Sequence, residues 1–153
     1  YLECVHRNGV PHIIVSSVIP KLEEEINTIL DQVVDFKLML HTDDKNIDAY
    51  IVYDDDNYWP IELTSGMEKF VSSLAIRTAL ISISTLPRPN FIAIDEGFGA
   101  LDQGNLGSMF MFFDYLKTQF KFVMIISHID SMRDVVDKHL EINKVNGRSR
   151  IVQ

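Results

Sequence analysis

Two acids stand side by side at the end of a short apolar run. Phe91-Ile92-Ala93-Ile94 leads straight into Asp95 and Glu96, and Gly97-Phe98-Gly99-Ala100-Leu101-Asp102 follows with a glycine-rich turn and a third acid. Within a strand, neighbouring side chains point to opposite faces, so Asp95 and Glu96 could not share a task in mid-strand. At a strand end the chain leaves the pleat, and both can reach one site. A carboxylate buried there is costly unless it is paired or close to a cation. Nucleotide-bound Mg²⁺ suits the position, because it is usually held through waters and one or two acids. The second acid can then orient or deprotonate an attacking water, help worth roughly 10²–10⁴ in rate. The plain alternative is a strand that ends in solvent-facing acids, and the stretch alone leaves both readings open.

Two further stretches have the residue types for phosphate chemistry. Ser65-Gly66-Met67-Glu68-Lys69 opens a long helical pattern. Ser65 followed by Glu68 matches the capping box, in which the serine caps one exposed N–H and the glutamate reaches back to another. The same helix start is an anion site, with unpaired N–H groups and a favourable dipole. Gly66 lets backbone approach a phosphate closely. The other stretch, Phe122-Val123-Met124-Ile125-Ile126-Ser127-His128, ends a second apolar run in a histidine that can contact a γ-phosphate or a water without any metal. A loop or capping histidine is the alternative. His6, His12, His41 and His139 are scattered and read as structural or solvated.

These positions need a scaffold. The 153 residues are 46% apolar, enough for one domain with a core. A net charge of -8 argues against a broad duplex-binding face, which is built on clustered Lys and Arg. The single cysteine, Cys4, excludes a disulfide framework and a cysteine metal cluster, and favours an intracellular setting. No apolar stretch reaches the roughly 20 residues that span a bilayer.

Residues 12–19 read as a short helix ahead of Pro20, after the breakers Gly9 and Pro11, and residues 20–35 as an amphipathic helix with Pro20 in its first turn. Three strands follow, over 36–42, 48–54 and 59–63, joined by the acidic turns at 43–46 and 54–57. Helical spacing returns over 65–84. Strands at 91–95 and 121–127, both expected to be buried on both faces, alternate with helices at 104–120 and 131–139. Asn146-Gly147 marks a terminal hairpin. The fold class is therefore α/β, with parallel strands flanked by helices plus an antiparallel layer, and ligands are expected at the carboxyl ends of the parallel strands. Trp59, Phe91, Phe110, Phe112 and Phe113 read as core or packing residues.

The order of the motifs resembles the second half of an ABC-type ATPase head. Ser65 to Lys69 resembles the signature motif. The stretch 91–96 resembles Walker B, 99–102 the D-loop, and His128 the switch histidine. The run Ile94-Asp95-Glu96-Gly97-Phe98-Gly99-Ala100-Leu101-Asp102 looks especially like the SbcC family, the SMC-like ATPase subunit of a nuclease complex that processes DNA double-strand breaks. That resemblance implies residues 1–20 as the end of a coiled coil entering the head and 21–153 as the C-terminal head lobe. It implies ATP and Mg²⁺, with Asp95 supporting the metal, Glu96 polarising water and His128 contacting the γ-phosphate. Ser65, Gly66, Met67, Glu68 and Lys69 would close over ATP held by a second head, with Asp102 coupling the two sites. By the same resemblance, Lys69 and Arg77 on the signature helix fall where basic residues relay nucleotide state; a salt bridge or a solvated charge is the alternative for Arg77.

Implied partners are an N-terminal Walker A lobe, a second head, an SbcD-like nuclease and DNA through the full complex. The implied role is ATP-driven regulation of nuclease action in break repair. Two features depart from the pattern. Met67 stands where the family has a second glycine, putting a side chain where backbone meets phosphate. None of the seven glycines belongs to a G-x-x-x-x-G-K-[ST] loop, so ATP hydrolysis requires the N-terminal lobe. The rival readings are a non-catalytic lobe that dimerises and binds a nuclease, and another SMC-class ATPase in chromosome cohesion or recombination.

Overall fold

Apolar spacing on a long amphipathic helix sets up the first half of the molecule. The computed structural model describes residues 6, 9–43, 46–95 and 106–152. Helix α1 runs unbroken over Val10–Leu30, with Pro11 in its first turn. Ile19, Leu22, Ile26, Ile29 and Leu30 form its buried stripe. The sequence suggests two helices meeting at Pro20, but Pro20 lies inside a single one. An interior proline costs about 3 kcal/mol. The buried stripe on its C-terminal side offsets that cost, and a contact between His12 Nε2 and the Asp43 carbonyl (3.2 Å) ties the N-terminal half to the sheet.

The antiparallel layer follows as β1 (Lys37–Thr42), β2 (Ile47–Asp54) and β3 (Asn57–Pro60), in that spatial order. The third strand ends at Pro60, and Ile61–Leu63 forms a 3-10 turn instead of continuing as strand. Leu38 and Ile51 pair across β1 and β2 and are fully buried against α1. The outer edge of β1 does not face water alone. Asn27 accepts from Leu38 N–H (2.7 Å) and donates to the Leu38 carbonyl (2.9 Å), and Glu23 accepts from Leu40 N–H (2.7 Å). Four helical residues rise about 6 Å and two strand residues about 6.7 Å, so Glu23 and Asn27 match the edge groups of Leu40 and Leu38. An edge strand is thereby protected from pairing with another chain.

Helix α2 (Gly66–Ile83) packs against α1. Its buried face carries Val71, Ser72, Leu74, Ala75, Thr78 and Ala79. Thr78 bonds back to the Leu74 carbonyl, whereas the fully buried Ser72 hydroxyl has no hydrogen-bond partner among the described residues. The second half is β4 (Phe91–Asp95), α3 (Leu106–Gln119), β5 (Phe122–Ile126) and a 3-10 turn over Asp130–Val135. Strands β4 and β5 are parallel, with Phe91 opposite Phe122 and Asp95 opposite Ile126. Met109, Phe112, Phe113 and Leu116 from α3 join the same core as α1, α2 and β1.

The burial on both faces expected of β4 and β5 is not found. Ile92, Ile94, Val123 and Ile125 face the core, while Phe91, Ala93, Phe122, Met124 and Ile126 are exposed on the other side. Among the described residues these two strands pair only with each other. Their outer face carries a stacked Phe91–Phe122 pair with centroids 5.6 Å apart. Phe112 and Phe113 are core residues as expected, but Trp59, Phe91 and Phe110 are exposed, Trp59 lying on the edge strand β3. The hairpin of β6 (Glu141–Val145) and β7 (Arg148–Val152) turns through Asn146 and Gly147, both at positive φ (51° and 76°), the signature of a type I′ turn.

Candidate nucleotide-facing site

The start of α2 is built from the capping box that the sequence spells. Glu68 N–H donates to Ser65 Oγ (3.2 Å), and Ser65 N–H donates to Glu68 Oε2 (2.7 Å). A third group completes it. The Tyr53 hydroxyl, from the end of β2, donates to Glu68 Oε1 (2.6 Å). Both carboxylate oxygens of Glu68 are thus engaged within the protein, which makes Glu68 a holder of the helix start. The hydrogen bond to Glu68, helped by burial and the nearby charge, pushes the Tyr53 hydroxyl up to about 12. Burial pushes the Glu68 carboxyl up, but the hydrogen bonds from Tyr53 and Ser65 outweigh it and hold the group below its usual value.

Met67 turns out differently from the expectation that its side chain would crowd a phosphate. It is buried among the core residues, while Ser65 and Gly66 at the helix start are exposed. The reason is helical geometry: Met67, Val71 and Leu74 fall at i, i+4 and i+7, the stripe facing inward. Only the backbone of Met67 is available to an anion. Lys69 and Arg77 are exposed on the same helix.

The carboxyl edge of the parallel pair holds the other candidates. Asp95 is the last residue of β4, exposed, on the same side as Phe91 and Ala93. Solvent exposure removes the burial cost expected of a carboxylate at the end of an apolar run. Its neighbour across the ladder is Ile126, the last residue of β5, and His128 follows two residues later. Parallel pairing therefore brings Asp95 and His128 to one edge of the sheet. Ser127 Oγ accepts from Ile129 N–H (3.1 Å), which turns the chain just after the strand. Glu96 and Asp102 lie outside the described residues. Among the described residues no three His, Cys, Asp or Glu side chains gather as a metal cluster. A magnesium ion bound through one acid, waters and substrate phosphates needs no such cluster, and an exposed Asp95 fits that role. No helix among the described residues is long and apolar enough to cross a membrane.

Tyr53 is the functional candidate that sequence reasoning missed. It lies fifteen residues before Glu68, in another element, and no local spacing links the two. Only the fold of β2 against the start of α2 does so.

The chain is similar to several known proteins. Uncharacterized protein R555 of Acanthamoeba polyphaga mimivirus is 34% identical over 100% of this chain and 12% of its own length. The SbcC component of the nuclease SbcCD from Treponema pallidum is 31% identical over 61% of this chain, and that of Bacillus subtilis 30% over 67%; these matches take in 9% and 10% of the two proteins. This chain thus spans about a tenth of the length of the curated relatives it matches. No family model matches the chain. Among solved structures, one from work on ATP-driven dimerisation and DNA-stimulated activation of SMC ATPases superposes with a TM-score of 0.74 at 17% identity, over 91% of this chain and 86% of that one. The SMC head domain from Thermotoga maritima superposes with a TM-score of 0.63 at 22% identity, over 90% of this chain and 49% of that one. The fold is that of SMC ATPase heads, a mixed α/β arrangement with parallel and antiparallel sheets, and the sequence likeness is to SbcC.

Proposed function

We propose that this chain, with the fold of an SMC ATPase head and a sequence similar to SbcC, is the C-terminal half of a head that binds and hydrolyses ATP between two heads. The observation that carries the reading is the parallel register of β4 and β5, which gathers Asp95 and His128 at one edge. The start of α2 is a separate exposed anion-binding end. In the complete head, Asp95 would hold Mg²⁺ through water, and the ion would neutralise phosphate charge. Glu96 is assigned to orient and deprotonate the attacking water, and His128 to contact the γ-phosphate. Ser65 and the backbone of Gly66 and Met67 meet ATP bound by the opposite head, with Lys69 on the same helix and Asp102 coupling the two sites. Glu68 serves by fixing that helix start.

An N-terminal lobe with the main phosphate loop covers the open face of β4 and β5, whose exposed Phe91, Phe122, Met124 and Ile126 are apolar. The regulatory role is inferred from the resemblance to SbcC: ATP binding would close two heads and gate an SbcD-like nuclease that processes DNA ends in an intracellular repair complex. The test is ATP turnover, with and without DNA, by this chain joined to the N-terminal lobe from the same genome. DNA-stimulated turnover that falls at least about a hundredfold in Glu96→Gln is the expected result. Unchanged turnover in that variant overturns the assignment. ATP-driven dimerisation without turnover in the parent favours the non-catalytic lobe.

A further inference from the structure

The start of α2 is held by a residue that the capping box does not require. A serine and a glutamate three positions apart satisfy two helix-end N–H groups by themselves. Here the glutamate is also gripped from outside the helix. The Tyr53 hydroxyl donates to Glu68 Oε1 at 2.6 Å, which leaves Oε2 for Ser65 N–H at 2.7 Å. The Tyr53 ring is itself anchored, packing edge-on against the buried Phe36 with centroids 6.3 Å apart. A rigid chain of contacts therefore runs from the antiparallel sheet to the serine.

The consequence lies at Ser65. Its Oγ accepts from Glu68 N–H, and its carbonyl accepts from Lys69 N–H (3.1 Å). The serine hydroxyl proton is then left to donate outward from an exposed side chain. Among the described residues no group accepts from the N–H of Gly66 or Met67. With Met67 turned into the core, nothing on that residue blocks its N–H. Three donors thus share one exposed end, and their relative placement depends on Glu68 staying in one orientation.

We propose that Tyr53 is a positioning residue: through Glu68 it sets Ser65 and the first N–H groups of α2 in the geometry that meets a nucleotide phosphate. This deepens the proposed function and rests on it. A glutamate released from Tyr53 samples other rotamers, and the donors at the helix end lose preorganisation. Tyr53 acts through Glu68, so its effect falls mainly on ATP affinity.

The experiment uses the complete protein with both heads, ATP and Mg²⁺. Tyr53→Phe keeps the ring and its contact with Phe36 and removes one hydroxyl. The ATP concentration for half-maximal head dimerisation should rise about three- to tenfold, the scale of one hydrogen bond to a charged group at a partly exposed site. KM for ATP should rise with it, more than turnover at saturation falls. In the double variant with Glu68→Gln, Tyr53→Phe should add little, because both act on one carboxylate. ATP dependence equal to the parent's, or fully additive effects in the double variant, overturns the inference. A parent protein that shows no ATP-driven dimerisation overturns the two-head reading itself, which separates the two failures.

Discussion

The antiparallel half and the parallel half of this molecule differ in what covers their strands. Around β1, the inner side chains and the backbone edge groups find partners within the chain, while Met39, Tyr58 and Trp59 are exposed on the sheet. Leu38 and Ile51 are buried at 1% and 0% exposure. The edge N–H and carbonyl groups of Leu38 are held by Asn27, and the Leu40 N–H by Glu23. Around β4 and β5 the inner face is packed, but the outer face exposes Phe122 at 58% and Phe91 at 47%. The parallel half carries Asp95 and His128 at its carboxyl edge, and the antiparallel half carries Tyr53. The antiparallel half thus closes the edge of β1 with side chains of α1, while both halves leave apolar side chains exposed on an outer face.

Equal truncations in the two halves should give the widest separation between them. Ile51→Ala should lower the unfolding free energy by about 2–5 kcal/mol, read from urea denaturation, because it opens a cavity in a packed core. Phe122→Ala should cost less than about 1 kcal/mol in the same measurement, since its ring is already half in water. After an N-terminal lobe is added, Phe122→Ala should weaken the association of the two pieces. A large loss of stability from Phe122→Ala in this chain alone would break the contrast.

A smaller effect is expected at the β1 edge. Asn27→Ala removes two part-buried hydrogen bonds and should cost about 2 kcal/mol, at about 1 kcal/mol each. The amide protons of β1 should then exchange faster with solvent, while those of β5 keep their rates. Equal changes in both strands would mean that Asn27 supports the whole fold and not the edge.

The smallest effect is the pH response of the Tyr53–Glu68 contact, which ties the antiparallel sheet to the helix start. Tyr53 is raised from 10.0 to about 12 in the folded protein, so its contribution is complete below pH 10 and is lost as pH climbs toward 12. Glu68 is lowered from 4.5, so its contribution is present above pH 4.5 and is lost as pH falls through the lowered value. Urea midpoints measured across pH should show both limbs, and Tyr53→Phe should flatten the alkaline one. Tyr53 is exposed and Glu68 half-buried, so solvent screening keeps these limbs shallow.

Much of the fold was legible because its signals are local. The capping box at Ser65 and Glu68, the Asn-Gly turn at 146–147 and the helical spacing after Gly66 each involve residues within a few positions of one another. The strand ends that carry Asp95 and His128 were legible for the same reason, and their parallel pairing followed from the helix between them. Three features were not. An apolar run reads the same whether one face or two are covered, so the exposure of Phe91 and Phe122 had no sequence signal. Pro20 reads as a helix start, yet burial of Leu22, Ile26, Ile29 and Leu30 outweighs its interior cost. Met67 reads as an obstruction at the helix start until the inward stripe it belongs to is seen.

Period, caps and backbone preference act over short spans, and they were enough to assign most helices, strands and turns and the residues at their ends. Where those ends point was settled by packing. Asn27 and Glu23 reach Leu38 and Leu40 only because a helix rise of four residues matches a strand rise of two. Tyr53 reaches Glu68 only because β2 ends beside the start of α2. Such matches between distant segments depend on how two rigid elements are set against each other, and no spacing along the chain records that.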